Sequence, residues 1–95
     1  PNLMDGAPGQ LYKVRLHFAE LDKNTTAGKR VFSVDVNGKP VITDIDVYKE
    51  TGSCFRALVK EVDGITVDKN NMITITLPKA RKGTPQICGY EILPQ

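Results

Sequence analysis

Few side chains in this 95-residue chain could perform chemistry, and their types and spacing give little support to catalysis. The single histidine, His17, lies on the polar side of an alternating stretch, whereas a general base needs a positioned partner and a pocket. Ser33 and Ser53 lie outside any nucleophile-elbow motif, and the residues around Cys54 do not form a thiol-protease signature. We therefore expect His17 to be a solvated strand residue and the chain not to be an enzyme.

Two aspartates could help to bind a cation. Asp44 and Asp46 are two residues apart on a predicted strand, so both side chains should point to one face. Calcium takes six to eight oxygen ligands, and such a pair could supply two of them. The alternative, which we favour, is two solvated acids beside Lys39 or Lys49. On this interpretation the chain has no metal site.

The cysteines and glycines predict no cofactor. Cys54 and Cys88 lack the spacing of a zinc site. They could form a disulfide only if strands bring them together, and we favour two separate buried thiols. The chain also has no glycine-rich phosphate loop.

Charge and hydropathy narrow the class of partner. Thirteen lysines and arginines are spread against eleven acids, for a net charge of +2, whereas a nucleic-acid-binding domain usually carries a dense basic stripe. The one basic cluster, Lys79, Arg81 and Lys82, is expected to be a solvated loop, with phosphate or membrane contact as the alternative. No apolar run approaches the length of a membrane span. Asn24 begins an N-T-T glycosylation pattern, which slightly favours the secretory pathway or the cell exterior.

The elements that would position these residues are strands. The stretch LYKVRLHFAE at residues 11–20 alternates apolar with polar residues. The stretch VFSVDVNGKPVITDIDV at residues 31–47 does so on both sides of Asn37-Gly38, a pair that suits a two-residue hairpin turn. The residues predicted to face inward are Tyr12, Val14, Leu16 and Phe18, then Phe32, Val34 and Val36, then Val41, Thr43, Ile45 and Val47.

The strand pattern continues to the end of the chain. Ile73, Ile75 and Leu77 alternate in NMITITLP, QICGYEIL is typical of a last strand, and no helix cap or 3.6-residue period supports a helix. About six or seven strands, with a turn every ten or so residues, predict an all-β sandwich of jelly-roll type. Residues 1–10 are expected to be a linker or loop, and residues 11–95 one domain.

Four motifs in order resemble the malectin and malectin-like domains. They are YKVRLHFAE, then VFSVDVNG, then TDIDV, and finally VDGITVDKNNMITITL, which is similar to the family's later strand pair. The order and spacing match over most of residues 11–93. The resemblance implies a galactose-binding-like β-sandwich without catalytic activity, which acts as a lectin or binds peptides or partner proteins.

Departures from the family pattern limit this resemblance. The family's domain has a further segment before the F-A-E strand, which carries strands and two tyrosines that stack on the ligand. We therefore expect residues 11–95 to be the C-terminal larger part of such a domain, with that N-terminal segment as one expected partner. An aromatic pair follows F-A-E in the family, whereas Leu21, Asp22 and Lys23 follow it here, and Gly83 stands where the family has an aspartate. The family resemblance is therefore expected to predict the fold of this chain better than it predicts the ligand.

The expected binding surface is the pair of loops at residues 21–28 and 80–84, because binding commonly occurs on loops held by a rigid scaffold. Its hydrogen-bonding side chains are Asp22, Lys23, Asn24, Arg81, Lys82 and Thr84. Glu20, at the end of the first strand, is expected to orient a ligand hydroxyl or to pair with Lys23 or Lys29. We expect a carbohydrate-binding module with an oligosaccharide or glycan as its partner. The alternatives are plain surface loops on a structural module, or a protein-interaction module that has lost sugar binding.

Overall fold

The computed structural model describes residues 9–95, so most of the linker predicted at residues 1–10 lies outside the described residues. The described part of the chain contains six strands and one short helix. These are β1 (Tyr12–Phe18), β2 (Phe32–Val36), β3 (Lys39–Ile45), α1 (Val47–Thr51), β4 (Leu58–Ile65), β5 (Ile75–Thr76) and β6 (Gly89–Pro94). The strands form two antiparallel three-stranded sheets, in the orders β4-β1-β6 and β3-β2-β5.

The core lies between the two sheets, as the alternation predicts. Every second residue of β1 and of β2 is buried, and inward apolar side chains from both strands form one cluster. The Phe18 and Phe32 rings have centroids 5.8 Å apart and planes tilted by 58°, an arrangement that aromatic pairs favour. This pair joins the sheets at the end of the sandwich where β1 finishes and β2 begins. The predicted all-β sandwich is confirmed.

The turn between β2 and β3 has the predicted form. Asn37 and Gly38 have φ angles of +52° and +79°, which a type I′ hairpin turn requires at both central positions. The Asn37 amide also links this turn to the loop after β4, because its nitrogen donates to the Thr66 carbonyl at 2.8 Å and its oxygen accepts from the Thr74 N–H at 2.9 Å. Asparagine is therefore favoured here for its side chain as well as for its backbone.

The prediction of which β3 residues face inward is wrong for Thr43. Ile45 and Val47 are buried as expected, but Thr43 is exposed. The pairing with β2 shifts register along β3, and Asp44 has a left-handed φ of +52°. An extra residue in one strand of an antiparallel pair disrupts the alternation of side chains at that point, which is why Thr43 does not face inward.

The expectation of no helix is wrong at Val47–Thr51. Asp46 is the N-cap of this helix, since its carboxylate accepts from the Lys49 backbone N–H at 3.1 Å. Gly52 ends the helix with a φ of +82°, and its N–H donates to the Tyr48 carbonyl at 2.7 Å. Aspartate and glycine are common start and stop residues, but five residues are too few to show a helical period. No helix within residues 9–95 is long and apolar enough to span a membrane.

Charged pairs cover the outer face of the β4-β1-β6 sheet. Arg15 lies between Glu61 and Glu91, with nitrogen–oxygen distances of 3.1 and 3.2 Å, and His17 Nε2 lies 2.7 Å from Glu91 Oε1. His17 is therefore on the polar face, as predicted, but it has a carboxylate partner rather than solvent alone. Opposite charges on neighbouring strands contribute roughly 0.2–1 kcal/mol per pair, so this face supports the strand register.

The cysteines are free, as expected, but they are not both buried. Cys54 is half-buried and Cys88 is exposed. Cys88 immediately precedes β6, and its backbone N–H donates to the His17 carbonyl at 2.8 Å, so its backbone rather than its thiol is used in the sheet. The prediction of two buried thiols is wrong for Cys88.

Replacing Phe32 by alanine should lower the free energy of unfolding by about 3–5 kcal/mol, because the fully buried ring would leave a cavity between the sheets. Urea denaturation followed by circular dichroism measures this loss. Met72→Ala is the control, since the Met72 side chain is 56% exposed, and it should change stability by less than about 0.5 kcal/mol. Equal effects of the two substitutions would show that Phe32 does not belong to the core.

Candidate functional site

The two ends of the sandwich carry different loops. At the end where β1 finishes and β4 begins, the loops at residues 20–30, 52–57 and 80–84 meet and are joined by hydrogen bonds. We call these three loops the loop end. The opposite end carries the turn at residues 37–38 and the loop at residues 66–74. Both loops that the sequence predicts as the binding surface belong to the loop end.

Glu20 is the residue that joins the parts of the loop end. Its side chain is fully buried, and two groups of the chain donate to its carboxylate. Arg30 Nε donates to Oε1 at 2.7 Å, and the Asp22 backbone N–H donates to Oε2 at 3.1 Å. Arg30 Nη1 in turn donates to the Thr84 carbonyl at 2.7 Å. The Arg30 side chain therefore closes the first loop on Glu20 and also connects that loop to the end of the third.

The lysine partners predicted for Glu20 are wrong. Lys23 and Lys29 are exposed, and Arg30 forms the pair instead. A guanidinium presents several N–H groups in a fixed fork, so one Arg30 side chain can donate to a carboxylate and to a carbonyl at once. A lysine ammonium carries its donors on one atom and is less suited to bridging two separated acceptors. The ion pair is buried, with exposed side-chain fractions of 16% for Arg30 and 1% for Glu20.

The second loop is fastened to the same strand end. The Phe55 N–H donates to the Glu20 backbone carbonyl at 2.7 Å. The neighbouring Cys54 thiol donates to the carbonyls of Asp22 and Thr25, at 3.2 and 3.5 Å. Cys54 is thus a free, half-buried thiol that donates hydrogen bonds at the loop end. Residues that follow β1 and residues that precede β4 are held side by side.

Phe55 and Leu21 expose apolar surface at the loop end. Their exposed fractions are 65% and 52%, and Phe55 has a φ of +60°. A left-handed φ is uncommon for a bulky residue without a functional or structural cause. The sequence interpretation missed Phe55, because no local pattern in its neighbourhood predicts a left-handed phenylalanine.

The two aspartates considered as a calcium pair have separate partners. Asp44 accepts from Arg81 Nη1 at 3.0 Å, whereas Asp46 accepts from the Gly28 N–H at 2.6 Å and caps α1. The prediction that Asp46 lies on the same strand as Asp44 is wrong, because β3 ends at Ile45. Within residues 9–95, no three His, Cys, Asp or Glu side chains form a group that could hold a metal ion. The contact of Asp46 with Gly28 instead fastens the first loop to the helix.

The predicted residues of the first loop form one exposed turn. The Asn24 N–H donates to Asp22 Oδ1 at 2.9 Å, and the Thr25 N–H donates to the Asp22 carbonyl at 3.0 Å. Asp22, Lys23 and Asn24 are all exposed. This turn fixes the backbone and leaves polar side-chain atoms at the surface, where they can contact a ligand.

The predicted residues of the third loop are held by the start of β2. Val31 and Lys82 form a backbone bridge with nitrogen–oxygen distances of 3.0 and 3.1 Å, and the Arg81 N–H donates to the Val31 carbonyl at 2.9 Å. Arg81, Lys82 and Thr84 are exposed, and Thr84 meets the first loop through Arg30. The loop end therefore collects all six predicted residues, while their contact with a ligand stays a prediction.

Gly83 occupies a position that excludes a side chain. Its φ is +68°, and a Cβ atom placed there would lie 2.7 Å from the Lys29 carbonyl oxygen. That separation is far below an ordinary van der Waals contact, so the aspartate expected from the family pattern could not occupy this position without a shift of the backbone. The absence of this acidic group thus agrees with the close approach of the first and third loops at Gly83.

Residues 7–92 match the malectin domain family. The chain is 41% identical over 78 residues to Receptor-like protein 4 of Arabidopsis thaliana, a match that covers 81% of this chain and 12% of that protein. It is 36% identical over 81 residues to a probable LRR receptor-like serine/threonine-protein kinase of the same plant, covering 80% of this chain and 8% of the kinase. The chain thus spans about a tenth of the length of these relatives.

The same fold occurs in a solved structure. The chain is similar to part of the crystal structure of a beta-glucuronidase from Bacteroides uniformis, with a TM-score of 0.76 and 29% sequence identity. The match covers 90% of this chain and 10% of that enzyme. The shared fold is a galactose-binding-like β-sandwich, which confirms the predicted fold class.

Replacing Arg30 by alanine should lower the free energy of unfolding by about 3 kcal/mol, because it leaves the buried Glu20 carboxylate without its charged partner. Thermal and urea denaturation measure the change. Arg81→Ala is the matched control, since it breaks an exposed pair with Asp44 and should cost less than about 1 kcal/mol. A loss in the Arg30 variant no larger than that of the Arg81 variant would contradict the central place of the buried pair.

Proposed function

The chain belongs to the malectin domain family, and from that premise we propose that it is a non-catalytic module that binds carbohydrate at the loop end. The observation that carries the proposal is the buried pair of Glu20 with Arg30, around which the loops meet. Loops that are already ordered lose less conformational freedom when a ligand binds, so more of the contact energy becomes affinity.

Sugar hydroxyls suit the polar groups of the exposed turn. A hydroxyl donates one hydrogen bond and accepts others, so its site benefits from both kinds of partner. Asp22 supplies acceptor oxygens, Lys23 supplies donors, and the Asn24 amide supplies both. Lys82 and Thr84 add a donor and a hydroxyl from the third loop. This mixture supports recognition of a neutral ligand with many hydroxyl groups.

Two carboxylates, Glu20 in the loop end and Asp46 beside it, support binding rather than hydrolysis. Glycosidases commonly place two carboxyl groups on either side of the bond that is cleaved. Here Glu20 accepts from Arg30 and from a backbone N–H, and Asp46 accepts from the Gly28 N–H and caps α1. Both groups are thus engaged in holding the loops. We therefore assign the chain a binding role, although its structural relative is part of a beta-glucuronidase.

The alternative is a module that binds a protein partner at the same end. The relatives of the chain are named as a receptor-like protein and receptor-like kinases, and these names are one reason to consider a protein partner. Exposed Leu21 and Phe55 would also suit a protein surface, because aromatic residues are enriched at interfaces. A glycan screen separates this alternative from the carbohydrate proposal.

We expect the chain to bind at least one oligosaccharide saturably on a glycan array, with maltose and cellobiose titrated in parallel by calorimetry. The triple variant D22A/K23A/N24A should weaken this binding by about tenfold or more, because each lost hydrogen bond contributes roughly 0.5–1.5 kcal/mol.

The chain contains its own matched control for this variant. Residues 68–70 repeat the tripeptide Asp-Lys-Asn, and the Asn70 N–H donates to Asp68 Oδ1 at 2.7 Å in a similar turn. This second turn lies at the opposite end of the sandwich, so D68A/K69A/N70A should bind as the native chain does. Equal losses in the two triple variants would contradict binding at the loop end. A folded chain that binds no glycan would refute the proposal and favour a protein partner.

A further inference from the structure

Phe55 combines two features that stability alone does not explain. Its side chain is 65% exposed, so little of the ring contributes to the core. Its φ of +60° lies in the left-handed region, which glycine adopts freely and residues with a Cβ atom disfavour. Single exposed apolar residues are ordinary on protein surfaces, but an exposed and strained phenylalanine is not. Strained residues of this kind concentrate at binding sites, where the surrounding structure holds them.

The surrounding structure does hold Phe55. Its N–H donates at 2.7 Å to the backbone carbonyl of Glu20, the same residue whose side chain pairs with Arg30. The preceding residue, Cys54, donates to the Asp22 carbonyl at 3.2 Å. The backbone that carries the ring is therefore fixed against the exposed turn at residues 22–24. The backbone position from which the ring projects is therefore fixed before any ligand binds.

The chemistry around Phe55 selects one class of ligand. A pyranose ring presents C–H groups on its faces and hydroxyls around its rim, so it complements an aromatic ring bordered by hydrogen-bonding groups. We propose that Phe55 is the stacking residue of the loop end, and that its ring covers the C–H face of a pyranose whose hydroxyls contact residues 22–24. This inference rests on the proposed carbohydrate function and adds the residue that supplies the apolar contact.

The charges beside Phe55 distinguish a sugar from an apolar partner. Asp22 and Lys23 are exposed on the adjacent turn, and Leu21, which precedes Asp22 in the sequence, is an exposed apolar side chain beside them. The buried centre of a protein interface is depleted of charged residues, whereas a sugar site uses charged and amide groups to contact hydroxyls. One aromatic ring among polar side chains is thus better suited to a single sugar residue than to a broad apolar surface.

Calorimetric titration of the 95-residue chain with maltose, cellobiose and the glycans found on the array tests the proposal. Phe55→Ala should weaken binding by about tenfold, the upper end for contact with one aromatic ring, and Phe55→Tyr should retain the native affinity. Tyr90→Ala is the matched control, because Tyr90 is another aromatic side chain with 59% exposure and lies on β6. It should bind as the native chain does.

A stability measurement separates a lost contact from a damaged fold. Phe55→Gly keeps the left-handed backbone without strain, so its melting temperature should equal or exceed that of the native chain while its binding falls as in Phe55→Ala. A clear fall in the melting temperature of this variant would overturn the argument that the ring is held there at a cost in stability.

Nuclear magnetic resonance of ring-labelled phenylalanine gives a direct readout. The chain has three phenylalanines, and Phe18 and Phe32 are each only 1% exposed. Addition of the bound glycan should shift the Phe55 ring resonances and leave the two buried rings nearly unchanged. The Phe55→Ala spectrum identifies the affected signals.

The outcomes separate this inference from the proposed function. Suppose that the native chain binds a glycan, that the triple variant at residues 22–24 loses this binding, and that Phe55→Ala retains it. In that case the stacking role is wrong and the carbohydrate function stands. If the native chain binds no glycan on the array, both are wrong. Loss of binding in Phe55→Ala and Phe55→Gly, with Tyr90→Ala unaffected, supports both.

Discussion

Glu20 places a carboxylate in the interior of the sandwich, where removal from water costs several kcal/mol unless the charge has partners. Arg30 and the Asp22 N–H supply those partners, and the Glu20 carbonyl accepts from Phe55. Asp22 and Arg30 belong to the first loop and Phe55 to the second. Arg30 also donates to the Thr84 carbonyl at the end of the third loop. The buried charge thus holds Arg30 at the end of β1, where contacts of Glu20 and Arg30 with the other two loops meet, and the position of these loops determines which side chains reach the surface.

The sheet determines where that charge lies. Inward residues of β1 occur at every second position, and Glu20 occupies the next inward position after Phe18. The packing of the Phe18 and Phe32 rings brings β1 and β2 together at the same end. Arg30, which precedes β2, is thereby placed within reach of Glu20. The hydrophobic core thus brings Glu20 and Arg30 together, and the ion pair that they form orders the loops.

Side-chain periodicity made much of the scaffold predictable. Alternation in residues 11–20 and 31–36, with the Asn37-Gly38 turn, correctly indicated the inward residues of two strands, because side chains of a strand alternate strictly between its faces. The same alternation extends to Glu20 and could have indicated its burial. The partner of Glu20 was not predictable in this way, because the choice of Arg30 over Lys29 depends on how a loop returns to the strand end.

Local exceptions to periodicity explain the errors. The shift in register along β3 exposed Thr43, and a helix of one turn at Val47–Thr51 was too short to produce a period. The left-handed Phe55 and the crowded Gly83 arise from contacts between segments distant in sequence. Such contacts leave no local pattern, and they determine which groups the loop end presents. The scaffold was therefore easier to predict than the site.

Native-state hydrogen exchange of the Asp22 and Phe55 amides tests most directly whether the buried pair orders the loops. Both residues are exposed, yet their N–H groups donate to Glu20. We expect both amides to be protected in the native chain and to lose protection together in Arg30→Ala, while the amides of Val14 and Val34 in the core strands stay protected. Rapid exchange at Asp22 and Phe55 in the native chain, or unchanged protection in the variant, would contradict the account.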